Sequence, residues 1–404
     1  MNIWNECKQV PLPELLSFIV DNRGKTVPIN DGGTHKLIAT NCIRNENLYP
    51  NYEKIRYLSE ETYRTWFRAH PVPGDIIFVC KGTPGKTCMV PNPIDFCIAQ
   101  DMIAFRVNKK LIYNRYLLAV LRSREIQEQI TNTSVGDVIP HFKKQFLNQL
   151  LIPVPSMDIQ KKIGDLYFAI SVKMELNKKI NKNLDEQISS LYSYFFDSLP
   201  ASKLEETSLP DFIFFQEGPG IRNWQYVSEN GVKFINIRCI SGGDLNLSTA
   251  NMISEEEANG KYAHFMLNPY DIVMSCSGTL GRYAIVREEH LPLCLNTSVI
   301  RFRPATDFGD YSYVYGYMTS KEFLKQQELM ANGSAQVNFG PTHLKKIVLH
   351  LPPKDLRRKF HEMVFPLINL KLNNLRENDR LETTRDILLP RLMSGELDVT
   401  DLDF

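Results

Sequence analysis

Residues 73–86 read PGDIIFVCKGTPGK, and residues 269–282 read PYDIVMSCSGTLGR. In each, an aspartate opens a largely apolar run, a cysteine closes it, and Gly-Thr-x-Gly leads to a cation, Lys86 or Arg282. The two stretches lie roughly 196 residues apart, too far for a solenoid repeat of about 20–50 residues but suited to a domain plus a connecting element. Working outward, HKLIATNCIRNENL from His35 is echoed by VKFINIRCISGGDL from Val232, and YLSEE ending at Glu61 by MISEE ending at Glu256. Further on, Ile159, Ile163, Leu166 and Ile170 match Leu356, Phe360, Met363 and Leu367. Order, spacing and residue type agree along nearly the whole chain, so it is a tandem duplication of one unit. Two similar globular domains with diverged loops imply two related but non-identical binding faces, and hence a bipartite target.

Each unit opens with a short strand and helix and then a loop containing Gly and Arg, DNRGKT in the first and GPGIRNW in the second. Apolar runs punctuated by Gly, Pro and Asn predict strands: HKLIATNCI, DIIFVCKGT and CIAQDMIAFRV, then VKFINIRCI, DIVMSCSGT and LCLNTSVIRFR. A helix is expected from Asn114 to about Ile130 and from Tyr311 to about Met330. A polar loop follows (NTSVGDVIPHF; NGSAQVNFGP), then a strand ending in proline-rich text.

The unit closes on a long helix. A 4,3 step threads Ile159, Ile163, Leu166, Ile170, Lys173, Asn177, Ile180, Leu184, Gln187 and Leu191. In the second copy it threads Leu356, Phe360, Met363, Leu367, Leu370, Asn374, Glu377, Leu381, Thr384 and Leu388. A helix of about 40 residues spans roughly 60 Å, more than one small domain can cover, so the two helices are expected to pair. Asn177 and Asn374 fall at equivalent seam positions, where a buried amide can fix register because mispairing would leave it unsatisfied. Pro366 is expected to kink the second helix. These readings set the boundaries 1–152 for the first domain, 153–199 for the central helix and link, 200–350 for the second domain and 351–404 for the final helix and tail.

With 43% hydrophobic and 23% charged residues the chain has the composition of an ordinary globular protein. It carries no apolar run long enough to span a membrane, and its first residues lack the pattern of a signal peptide, which makes a cytoplasmic location the expectation. Eight cysteines without a close C-x-x-C pair read as buried free thiols, and eight histidines without H-E-x-x-H give no metal site. A net charge of +1 argues against indiscriminate binding to polyanions but permits a basic face balanced by acidic surface elsewhere.

GTPGKT, from Gly82 to Thr87, imitates the end of a phosphate-binding loop. Cys80 stands where that motif needs glycine, no helix pattern follows, and the second copy reads GTLGRY. What both copies keep is a glycine turn with a threonine and a cation able to reach a phosphate or a base edge; a turn without a ligand is the alternative. No nucleophile elbow, dinucleotide fingerprint or methyltransferase motif is present.

The duplicated layout, the GDI…GTxG segment, the entry IPVPSMDIQKKI into a long helix and the ending LETTRDILLPRLMSGELDV resemble the DNA-specificity subunit of type I restriction-modification systems. The opening of the second unit, GPGIRNWQY followed by GVKFINIRCISGGDL, resembles it too. PPKDLRRKF departs from the family pattern by lacking a Glu-Gln at the helix entry, of which the first copy keeps Gln160.

The resemblance implies an α+β protein: two mixed target-recognition domains separated by two long antiparallel, coiled-coil-like helices. It would be a non-catalytic subunit that reads a split site on double-stranded DNA. The helices would dock two methyltransferase subunits, which restriction subunits would join; S-adenosylmethionine and ATP would be needed only by those partners. Candidate DNA-binding residues are Arg23, Lys25, Arg44, Lys81, Thr83 and Lys86 in the first domain. In the second they are Arg222, Asn223, Arg238, Ser277, Thr279, Arg282, Gln336 and Asn338. A coiled-coil adaptor that binds only proteins, and an enzyme with an unrecognised site, are the competing classes.

Overall fold

The computed structural model describes residues 2–134, 140–331 and 338–397. Two compact units divide the chain: Met1–Lys178 with Glu377–Phe404, and Lys179–Arg376. The sequence boundaries set the long helices apart as separate segments, whereas each compact unit includes half of each helix.

In the first unit a four-stranded antiparallel sheet has the order Leu16–Val20, Met102–Val107, Ile76–Val79, Thr87–Met89. The central strand IIFV is apolar at every position because both of its faces are covered. Ile76 and Phe78 face a core shared with helical residues such as Tyr116 and Leu117. Ile77 and Val79 face a second core with Ile38, Phe96 and Ile98. A smaller sheet pairs His35–Ile38 antiparallel to Arg56–Leu58 and parallel to Phe96–Ile98. The opening strand Lys8–Pro11 pairs with the closing strand Leu151–Val154, so the domain's entry and exit lie side by side.

The second unit repeats this plan. Its four-stranded sheet is Ile213–Glu217, Val299–Pro304, Ile272–Ser275, Tyr283–Ile285. Gly231–Ile235 runs parallel to Leu293–Leu295, and Glu205–Ser208 pairs with Val348–Leu351.

Two sequence-level elements split. CIAQDMIAFRV forms two strands, Phe96–Ile98 and Met102–Val107, in different sheets. Gln100, in the left-handed region at φ 58°, turns the chain between them. The equivalent LCLNTSVIRFR breaks at Asn296, whose side chain accepts from the Ser298 backbone at 3.3 Å. Each short helix is likewise two, Asn114–Arg122 then Arg124–Thr133, and Tyr311–Thr319 then Lys321–Met330. Ser123 and Ser320 stop the first helix and cap the second, accepting from the amides of Ile126 and Phe323.

The long helices are Met157–Phe196 and Lys354–Ser394, and helix runs without interruption through Pro366. Their buried stripe takes in Ile163, Asn177, Leu184, Phe360 and Asn374 of the sequence heptad but departs from it elsewhere. Lys173, Ile180, Gln187, Met363, Leu370 and Thr384 are exposed, while Tyr167, Ser171, Met174, Asn181, Ile188 and Tyr192 turn inward with Val364, Ile368, Lys371, Asn378, Arg385 and Leu389 near them in the stripe. Each half-helix packs on its own domain as well as on its neighbour helix, which needs a wide apolar face; the sequence frame followed one edge of it. At Gly164 a Cβ would lie 2.6 Å from the Tyr116 nitrogen, so the helix meets the domain's helical layer backbone to backbone.

The two seam asparagines are buried, and each bonds to a different asparagine. In the first unit Asn177 Nδ2 donates to Asn378 Oδ1 (2.9 Å) and to Glu377 (2.8 Å), while Asn378 Nδ2 donates to the Met174 carbonyl (3.4 Å). In the second, Asn374 Nδ2 donates to Asn181 Oδ1 (2.8 Å), and Asn181 Nδ2 to the Lys371 carbonyl (3.3 Å). The same amide clamp is therefore built twice, from duplicated positions and with the roles of the two helices exchanged.

Candidate functional site

The repeated Gly-Thr-x-Gly segment is a hairpin turn in both units. Gly82, Gly85, Gly278 and Gly281 all take positive φ, which a side chain would strain. Val79 N donates to Lys86 O at 2.9 Å and Ser275 N to Arg282 O at 2.8 Å, closing each turn. Strand, not helix, follows the first turn at Thr87–Met89, so it is no phosphate loop.

Each turn is stitched to neighbouring loops by its cysteine. In the first unit Cys80 N donates to Asp101 O (2.7 Å), Phe142 N to Cys80 O (2.7 Å), and Gly82 N to Pro140 O (2.9 Å). Lys81 forms a bridge with His141. In the second, Cys276 N donates to Ser298 O (3.1 Å) and Phe339 N to Cys276 O (2.8 Å), while Ser277 bridges Asn338. Ile237 N reaches Ser298 Oγ (3.3 Å), and Thr297 N reaches Pro219 O (3.1 Å), which adds the loops carrying Arg238 and the stretch before Arg222. Burial pushes the Cys80 and Cys276 thiols up to about 12, so neither is a nucleophile near neutrality.

In the first unit the structure brings Arg23, Lys81 and Thr83 to this cluster. Lys81 and Thr83 are exposed and Lys86 half-exposed. Arg23 grips Asp21 through Nε (2.9 Å) and Nη2 (3.0 Å). Burial opposes the Asp21 charge, yet the bonds from Arg23 and the charges of Arg23 and Lys144 outweigh it and hold the carboxyl at about 2. Lys25 is exposed on the adjoining loop. Arg44 is tied to Glu53 (2.7 Å), next to Asn45, whose side chain accepts from the Thr87 amide (2.9 Å).

In the second unit Arg238, Ser277, Thr279, Arg282 and Asn338 lie on the stitched loops, all exposed except the half-buried Ser277. Arg222 and Asn223 are exposed on a short turn held by buried Gln225, which accepts from the Arg222 amide and donates to Glu257 and Tyr262. Gln336 lies outside the described residues.

Sequence reasoning missed Asp21, His141, Lys143 and Lys144 in the first unit, and Glu217 and Thr297 in the second. The polar loop after the short helices was the available signal: its described end, at Pro140–Phe142 in one copy and Asn338–Phe339 in the other, bonds to the turn. Among the described residues no group of three or more potential metal ligands gathers, and no helix is long and apolar enough to cross a membrane.

A family model described as "Type I restriction modification DNA specificity domain" matches the chain twice, over residues 10–186 and 203–383. Among curated relatives, the type I restriction enzyme MjaVIII specificity subunit of Methanocaldococcus jannaschii is 22% identical over 325 residues, with 76% of either chain covered. The HindI specificity subunit of Haemophilus influenzae is 22% identical, covering 80% of this chain and 86% of that one. The crystal structure of a type I restriction-modification S subunit from M. genitalium shares the fold, with a TM-score of 0.52, 15% identity and 96% of each chain covered.

Proposed function

Because this chain belongs to the type I restriction-modification DNA-specificity family, we propose that each unit reads one half of a bipartite DNA site through the loops gathered at its hairpin turn. The carrying observation is that the DNA-specificity family model matches once per duplicate, and that each duplicate folds into its own stitched cluster of exposed polar side chains. Such side chains suit the task, since base edges are discriminated by hydrogen bonds while phosphate contacts position the protein. The long helices set the spacer between half-sites and dock two methyltransferase subunits, with restriction subunits joining them. The amide clamps fix helix register through Asn177 and Asn374. Methyl transfer and cleavage belong to those partners, as do S-adenosylmethionine and ATP. Calorimetry of the isolated chain is accordingly expected to show no micromolar binding of S-adenosylmethionine.

The decisive experiment replaces residues 1–152 with the matching domain of a relative and maps methylated sites across the genome of cells carrying the chimera and its partners. One half of the recognised sequence is expected to change. A continuous motif, or a change in both halves, would overturn the reading.

A further inference from the structure

Asp21 and Glu217 occupy equivalent places. Phe78 faces Ile103 as Met274 faces Ile300, which aligns the two central sheets. Glu217 lies opposite Ile300, and Val20 opposite Ala104, so that Asp21 comes next to the position of Ile103. Both carboxylates also sit close enough to the equivalent cysteines, Cys80 and Cys276, to act on them electrostatically.

The surroundings of the two are opposite. Asp21 spends its oxygens on Arg23 and lies 3.4 Å from Lys144. Glu217 has no cation within ion-pair distance among the described residues; its oxygen lies 3.4 Å from the Thr297 hydroxyl. It is half-buried in the middle of the stitched loops, beside Gly340, where a Cβ would lie 3.9 Å from Oε2. Burial raises its carboxyl above the ordinary range, with the Thr297 bond opposing.

A carboxylate with lone pairs to spare repels phosphate and can only accept hydrogen bonds. On the major-groove edge of a base pair, the donor that matches a lone carboxylate is the exocyclic amine of cytosine. Resting on the DNA reading above, we propose that Glu217 is a specificity-determining residue of the second unit, accepting a hydrogen bond from the N4 amine of one cytosine in its half-site. In the first unit the residue at the same position is occupied instead by its ion pairs with Arg23 and Lys144.

The test uses the full chain with its methyltransferase partners and selection from randomised duplexes, comparing wild type with Glu217→Gln and Glu217→Asp. Glutamine preserves shape and removes the charge; aspartate preserves the charge and withdraws the oxygens. Both are expected to reduce selectivity for cytosine about tenfold or more at one position of one half-site. The other half-site and the slope of affinity against salt should stay unchanged. Wild-type selectivity in a Glu217→Gln chain that melts like wild type overturns the proposal, as does a lost preference at an A·T pair or a salt slope altered by about one. A wild-type complex that enriches no sequence overturns the DNA reading itself, and this assignment with it.

Discussion

The two amide clamps share the same asparagine–asparagine and asparagine–carbonyl bonds, but their neighbours differ. In the first unit the residue whose carbonyl receives the clamp is Met174; at the duplicated position in the second it is Lys371, 2% exposed. Lys371 Nζ is held by Asp185 (2.6 Å) and Tyr315 (3.3 Å). Glu382, the counterpart of Asp185, instead meets a buried guanidinium, Arg385, at 3.3 Å, and that cation keeps a second carboxylate, Asp386, at 2.8 Å. Duplication thus retained the groups that can define register and let the groups beside them vary between apolar packing and buried charge. The difference should appear as unequal sensitivity to loss of one carboxylate.

Asp185→Ala strands a buried ammonium and is expected to destabilise the second unit by about 3–5 kcal/mol, whereas Glu382→Ala should cost the first less than about 1 kcal/mol. Hydrogen exchange followed separately in each unit measures both; equal losses would remove the contrast. At the recognition faces, Lys86→Ala and Arg282→Ala should each weaken DNA binding by about 1–3 kcal/mol if the side chain meets a base, or lower the salt slope by about one if it meets phosphate. Binding titrations at several salt concentrations separate the two, and unchanged affinity and slope in both variants would make the turn purely structural.

Alanine at Asn177 or Asn374 breaks one clamp and leaves a buried acceptor unpaired, with an expected cost of about 1–2 kcal/mol in the unit concerned. A matching loss in each unit, read by the same exchange measurement, would support equal roles; a loss in only one would show that the clamps have diverged.

A further effect is on acid stability. The Asp21 carboxyl lies at about 2 against an ordinary 3.8, so its contribution is fully present above 3.8 and is lost as pH falls through about 2. Glu217 is raised, so its charge opposes folding above its folded pKa and acid relieves that cost. Denaturant melts of wild type and Asp21→Asn should therefore converge across that interval, while those of wild type and Glu217→Gln should converge as Glu217 is neutralised.

Much of this architecture was legible because duplication doubles every signal: a weak run such as DIIFVC gains authority when DIVMSC stands at the same offset. The elements that split were hidden for a local reason. Gln100 and Ser123 interrupt apolar patterns without glycine or proline, through backbone conformation and capping that periodicity does not register. The helix stripe was legible only in part because a helix serving two partners buries a broader face than a heptad describes. In the candidate site the cations and hydroxyls of the turn could be read directly. Asp21 and Glu217 could not, since their opposite environments depend on whether Arg23 and Lys144 fold back, which no spacing reveals.

Leu389, Leu392 and Met393 belong to the same core as Ile3, Val10 and Leu12. During synthesis the N-terminal domain emerges hundreds of residues before those three side chains do. The second unit needs nothing beyond Arg376 and can complete itself first, although its chain is made later. For as long as the ribosome is at work, the first unit keeps an uncovered apolar strip on Ile163 and Tyr167, open to chaperones or to another nascent chain. A frameshift near residue 380 would consequently injure the unit made earlier and spare the one made later.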